Sequence, residues 1–132
     1  MIWTVTPAIV LAFLIGYGLW QWNDVMDLSD DKDAIVIEVY SQQFRWDARY
    51  AGDDNTLGLG NVNYIKGINT MGVDMSDKNA SDDKQVTELY LPKGRKIHFK
   101  FRSQDVLHSA YMPHFRAQMN CVPGMVTEFG FT

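Results

Sequence analysis

The sequence predicts one transmembrane α-helix followed by a mainly β domain, a β-sandwich or barrel of the Greek-key kind. Three observations predict it. The run Ile2 to Trp22 carries no charged side chain. Beyond it, short stretches rich in β-branched and aromatic residues recur between turn-forming residues. One of those stretches, Lys96 to Arg102, alternates strictly between apolar and polar residues. With 132 residues the chain holds one domain at most beside the helix.

The apolar run comes first. About 21 residues at roughly 1.5 Å rise span about 31 Å, the thickness of a bilayer's hydrocarbon core. Trp3 lies at one end and Trp20 and Trp22 at the other, where interfacial aromatics sit. Pro7 is tolerable in a membrane helix, and Gly16 and Gly18 permit close approach of another helix. The run lacks the basic leader and small-residue cleavage pattern of a secretory signal. The boundaries expected are residues 1–23 for the helix and 24–33 for an acidic linker. That linker holds Asp24, Asp27, Asp30, Asp31 and Asp33 against Lys32, so the flank reads as external.

The β domain is expected over 34–132. Ala34 to Tyr40 and Gln43 to Tyr50 read as two strands. Gln85 to Leu91, a turn at Pro92-Lys93-Gly94 and Lys96 to Arg102 read as a hairpin. In its second arm Ile97, Phe99 and Phe101 share one face, which leaves His98 on the polar one. Val126 to Phe131 alternates again and reads as a strand. Between the strands lies a long polar loop, 51–84, dense in Gly, Asn, Asp and Ser. Asp74, Asp77, Asn79, Asp82 and Asp83 lack the glycine and terminal glutamate of a calcium loop, so the segment reads as solvated and acidic.

Composition narrows the chemistry. A net charge of −4 offers no basic surface to nucleic acid. The single cysteine, Cys121, allows neither an intrachain disulfide nor a cysteine-based zinc cluster. The most chemically suggestive stretch is Asp105-Val106-Leu107-His108-Ser109, with Pro113 five residues after the histidine and Val122-Pro123-Gly124 further on. It follows a β-rich run and a short polar loop, so His108 falls at the mouth of a β-sandwich. An imidazole there can bind a metal, although a lone histidine beside an apolar pair is more often a packed core residue. A mononuclear blue-copper set can be drawn from His108, His114, Cys121 and Met125. No histidine follows Cys121, as such sites usually require.

These motifs resemble subunit II of cytochrome c oxidase, the heme-copper respiratory oxidase of bacterial type. The carrying residues are Asp-Val-Leu-His-Ser, the later Val-Pro-Gly, and Ile2-Trp3-Thr4-Val5-Thr6-Pro7-Ala8-Ile9-Val10, which looks like the start of that family's second helix. The resemblance covers nearly the whole chain apart from loop 51–84. It implies an incomplete cupredoxin-like Greek-key β-sandwich on the periplasmic side of a bacterial inner membrane, in contact with membrane lipid. It also implies partnership with the heme-copper catalytic subunit I and the other oxidase subunits, with cytochrome c as electron donor.

By the same resemblance, His108 matches the first ligand of a binuclear copper A centre. The family's other ligands lie in a Cys-x3-Cys-x3-His-x2-Met loop that this sequence does not contain. It therefore implies a fragment cut at both ends, or half of a split subunit, with no copper stably bound by this chain alone and no activity in isolation. Gln43-Phe44-Arg45-Trp46 matches the aromatic strand that receives electrons, which assigns Phe44 and Trp46 to electron intake. Asp105 matches an acidic position at the docking face for cytochrome c. Cys121 falls where a small residue is usual and reads as a buried thiol, and His114 as a surface residue near the copper mouth. Two rival readings are subunit II of a quinol oxidase, in which the copper ligands are generally lost, and a membrane-anchored cupredoxin-like binding module.

Overall fold

A computed structural model describes residues 1–28 and 33–132. The chain divides into two units between Asp30 and Asp31.

In the first unit a single helix, α1, runs over Ile2–Met26. It continues past the expected boundary, so Asp24 lies in its last turn rather than in a linker. Residues 29–32 of the expected linker lie outside the described residues. Ile9, Val10 and Leu11 are consecutive and point about 100° apart, so the apolar surface wraps the helix instead of forming a stripe. All three are exposed, as are Phe13, Leu14 and Ile15. Its mean hydropathy reaches 1.9 over the most apolar window. A helix of 25 residues extends about 37 Å, long and apolar enough to cross a bilayer.

The second unit is mainly β. Its strands are β1 (Ile35–Gln42), β2 (Arg45–Tyr50), β3 (Lys84–Val86), β4 (Ile97–Ser103), β5 (His108–Met112), β6 (Ala117–Cys121) and β7 (Thr127–Phe131). Five form one sheet in the order β3-β2-β1-β4-β7, and β5 and β6 form a second, antiparallel pair. The order 4-1-2-3 within the first sheet is that of a Greek key, although β4 runs parallel to β1.

Alternation explains the packing between the sheets. The register sets Ile37 beside Phe99, Val39 beside Phe101 and Ser41 beside Ser103. These residues, with Ile97 and Ala48, turn one face of the first sheet toward Ala110 and Cys121 of the second. Phe99, Phe101, Ile37 and Cys121 are fully buried. Stacked rings of Phe99 and Phe101, 5.7 Å apart, fill the centre of the layer.

The outer face of the first sheet is also covered, which the sequence reading does not anticipate. Loop 51–84 is not a solvated excursion. Its Met71, Val73 and Ala80 form a second core with Tyr40 of β1. Its polar residues are spent on the backbone: Asn69 Nδ2 donates to the Val73 carbonyl, and the Val73 N–H donates to Asn69 Oδ1. The loop also closes over a buried ion network in which Arg49 pairs with both Glu38 and Asp83 and donates to the Gly58 carbonyl at 2.7 Å. A Cβ on Gly58 would collide with Ala80, so the close approach requires glycine.

The expected hairpin between Gln85–Leu91 and Lys96–Arg102 does not form. Strand β3 is three residues long and pairs with β2, while β4 takes β1 on one edge and β7 on the other. The ladder with β1 has seven pairs and that with β7 sets Ile97 beside Phe131 and Phe99 beside Phe129, so both edges of β4 are taken by non-local partners. His98 sits on the polar face, as alternation requires, but is only partly exposed and lies 3.1 Å from Glu128.

Candidate functional site

Two turns converge at one end of the sandwich. The first is the β1–β2 hairpin, whose last ladder pair, Gln42 with Arg45, leaves Gln43 and Phe44 as a two-residue loop. Phe44 takes φ +64°, a left-handed conformation unusual for a bulky side chain, and is fully exposed. The second turn leaves β4 at Ser103 and returns at His108. Ser103 Oγ donates to the Val106 carbonyl at 2.5 Å, and the Gln104 N–H donates to the Ser41 carbonyl at 2.9 Å.

Asp105 joins the two turns. Its Oδ1 accepts the Val106 N–H at 2.7 Å and lies 2.7 Å from His108 Nε2, while its Oδ2 accepts the Gln43 N–H at 2.7 Å. The hydrogen bond to His108, aided by those from Val106 and Gln43, holds the Asp105 carboxyl well below the usual range, at about 2. A carboxylate ionised at neutral pH accepts only, so His108 Nε2 carries the donated proton, and whenever the ring is neutral Nδ1 holds the lone pair. Trp46, 44% exposed, packs edge-on against the His108 ring with centroids 5.9 Å apart. Next to it a cavity of about 390 Å³ opens between the sheets, lined by Trp46, Phe99, Phe101, Ala110 and Met112.

The four site residues expected from sequence thus lie at these two turns: Phe44 in the β1–β2 loop with Trp46 just inside β2, and Asp105 in the β4–β5 turn with His108 at the start of β5. Their exposures differ. The side chain of His108 is 17% exposed and that of Asp105 29%, so neither is a free surface group.

The alternative mononuclear set does not assemble. Among the described residues no three His, Cys, Asp or Glu side chains group to hold a metal ion. Cys121 is cross-strand from His108, but its side chain lies in the core with no exposure, and burial pushes its thiol up. His114 is exposed, as expected, yet not near His108. It lies in the short turn Pro113–Phe115, at the opposite end of the β5–β6 pair.

Sequence reasoning missed strands β5 and β6, because His108–Met112 and Ala117–Cys121 lack a run of β-branched residues. Ala117, Met119 and Cys121 alternate with Gln118 and Asn120, and that spacing was the available signal. It also missed Gln43, whose role is carried by its backbone N–H rather than its side chain.

No protein-family model matches the chain. It is 37% identical over 128 residues to the alternative cytochrome c oxidase subunit 2 of Bradyrhizobium diazoefficiens, covering 96% of this chain and 46% of that protein. It is 28% identical to cytochrome c oxidase subunit 2 of Metridium senile, covering 99% of this chain and 50% of that one. Among solved structures it is similar to the periplasmic domain of subunit II of cytochrome oxidase from Bradyrhizobium japonicum. There the identity is 23% and the TM-score 0.48, over 76% of this chain and 64% of that one. The chain spans about half the length of the curated relatives it matches. Along 96% of its sequence, then, this chain is a homologue of cytochrome c oxidase subunit 2.

Proposed function

We propose that this chain is the part of a cytochrome c oxidase subunit II that takes in electrons. Electrons pass from cytochrome c at the Phe44–Trp46 turn to a binuclear copper A centre, and from there to the heme-copper catalytic subunit that reduces oxygen. The single observation that carries the reading is the His108 ring, held through Nε2 by Asp105 and abutted by Trp46; with Nε2 donating, Nδ1 is the nitrogen that would ligate. Metal-bound histidines commonly donate their second ring N–H to a carboxylate in this way.

The donor set fits one ligand position and no more. A binuclear copper centre needs two bridging thiolates, and the one thiol here is buried in the core. The bridging thiolates of such a centre would have to be supplied by residues other than those of this chain. Copper supplies a one-electron carrier at that centre. This chain's residues supply an imidazole of fixed tautomer, a carboxylate that orients it, and an aromatic surface beside it. The β domain sits on the periplasmic side in this reading, with α1 in the inner membrane. Retention of His108 with its carboxylate partner favours this over a quinol oxidase subunit, which has no copper to bind.

The test is made in the full-length subunit. Replacing His108 with alanine disturbs the copper absorption and electron-spin spectra, while Cys121→Ala leaves them intact. The reverse pattern would reject this ligand assignment and restore a mononuclear site around Cys121.

A further inference from the structure

Loop 51–84 does more than cover the first sheet. With two other segments it walls a second cavity of about 390 Å³. Gly60 and Val62 come from the loop, Arg102 and Gln104 from the end of β4 and the turn after it, and Met125 and Val126 from the β6–β7 turn. None of Phe44, Trp46, Asp105 and His108 lines it. Its volume lies at the small end of the range for small-molecule sites.

Arg102 is the only residue in these walls that carries a charge at neutral pH. Its guanidinium is largely buried and firmly placed. Nη1 donates to Glu38 Oε1 at 2.9 Å, and Cζ lies 4.9 Å from the centroid of the Tyr40 ring. The loop backbone closes in at Gly60, where a Cβ would fall on Nη1, so glycine there leaves the guanidinium its position. Glu38 is the one ion-pair partner of Arg102 among the described residues, and it is shared with Arg49. A guanidinium carries its N–H donors in a planar fork that matches the two oxygens of a carboxylate. Only an Nη1–H is spent on Glu38, and no second carboxylate among the described residues takes the rest.

Tyr40 adds a hydroxyl. The residue is buried and lines the same cavity. Burial, against the pull of Arg102, raises its hydroxyl above the usual value, so the group keeps its proton and remains a donor. Val62, Met125 and Val126 bring apolar surface, each of them exposed.

We propose that this cavity binds a small organic carboxylate, its oxygens on Arg102 and the Tyr40 hydroxyl and its apolar body against Val62, Met125 and Val126. The guanidinium selects the charge, and the apolar walls favour an organic acid over inorganic phosphate. A ligand seated there touches segments far apart in sequence, so its binding stabilises the folded domain.

The experiment uses the detergent-solubilised full-length subunit. Benzoate is the probe, with benzamide as its uncharged match and inorganic phosphate as the inorganic control. Calorimetric titration at neutral pH reads affinity, and the thermal midpoint reads stabilisation. Benzoate is expected to bind about 10-fold tighter than either control and to raise the midpoint. Arg102→Gln should weaken benzoate about 10-fold. That change also strips Glu38 of a partner, so Val62→Glu is made beside it. Val62→Glu adds a carboxylate at an exposed position without touching the core, and should weaken benzoate about 3-fold while the ligand-free midpoint stays unchanged. Benzoate that binds no tighter than benzamide, or binds Val62→Glu as well as the parent, overturns the proposal. So does an absence of binding at tens of millimolar. The titration is repeated on the assembled oxidase. Binding that persists there, and is weakened by Val62→Glu, supports a free carboxylate as the ligand. Binding that assembly abolishes means that the cavity is covered in the enzyme, and overturns the assignment to a free acid.

Discussion

Asp105 and His108 share a 2.7 Å contact between Oδ1 and Nε2, while the second oxygen of the same carboxylate holds the Gln43 N–H of the neighbouring hairpin. The carboxylate therefore orients a ring and locks two turns together. A free docking charge would do neither. In the full-length subunit, Asp105→Ala should lower copper affinity by roughly 10- to 100-fold, the usual cost of losing a carboxylate behind a metal-bound histidine. Copper titration followed by absorption checks it. If Asp105 acted only as a surface charge, the variant would alter the salt dependence of cytochrome c oxidation and leave copper binding untouched.

Phe44 carries a backbone cost. At φ +64° a bulky side chain is strained, and glycine is the residue that takes this conformation freely. Phe44→Gly should stabilise the domain by about 1 kcal/mol, read as a higher thermal midpoint, because no packing is lost with a fully exposed ring. The same change should slow cytochrome c oxidation. A gain in stability coupled to a loss of turnover would mark the strain as functional, and a loss of both would refute it.

Some of this was legible in the sequence for physical reasons. An uncharged run of sufficient length specifies a membrane-competent helix by itself, and the alternation of Ile97, Phe99 and Phe101 specifies a half-buried strand. The histidine loop was legible because its residues lie close in the chain. The partner of β3 was not legible, since a three-residue strand carries too little pattern to outweigh non-local pairing. Nor was the packing of loop 51–84. Its aspartates and asparagines look solvated in sequence, yet Asp74, Asp77 and Asp82 are used on neighbouring backbone N–H groups, and Asp83 lies beneath the loop. The reach of Asp47 to Thr70, 23 residues away, shows up only when the chain is folded.

Cys121 should behave as a core atom. It has no exposure, and its thiol is pushed up by burial against an opposing hydrogen bond with Ser41. A thiol-alkylating reagent at mildly alkaline pH should leave the native protein unmodified for as long as it stays folded, and modify it once in denaturant. Mass spectrometry reads both states. Rapid labelling of the native protein would show that β6 opens readily and that the second sheet is less secure than its packing implies.

Arg49 offers the sharpest test of how loop 51–84 is held. Its guanidinium is buried between the carboxylates of Glu38 and Asp83, and Glu38 in turn pairs with Arg102 at 2.9 Å. Asp83 keeps one buried oxygen without a partner, and burial raises its carboxyl above the ordinary value despite the opposing pull of Arg49 and the Gly58 N–H. Arg49→Met strips the cation, leaving the buried Asp83 carboxylate without a counter-ion and Glu38 with Arg102 alone. At neutral pH the expected loss is about 3–5 kcal/mol, the range for breaking a buried pair from one side. The pH dependence has a definite sign. A carboxyl whose folded value is raised holds its proton more tightly when folded, so its contribution favours folding most below the ordinary value of 3.8 and is lost as pH rises through the folded value. Removing Arg49 strengthens that effect, so the variant should be less destabilised near pH 4 than at pH 7. Denaturant melts of the detergent-solubilised protein at the two pH values measure the difference. Adding Asp83→Asn to Arg49→Met should recover part of the loss at pH 7, because a neutral amide replaces the stranded charge while Glu38 keeps Arg102. A loss that stays equal at both pH values, and that the amide does not relieve, would mean that Arg49 acts through the packing of its stem and not through its charge.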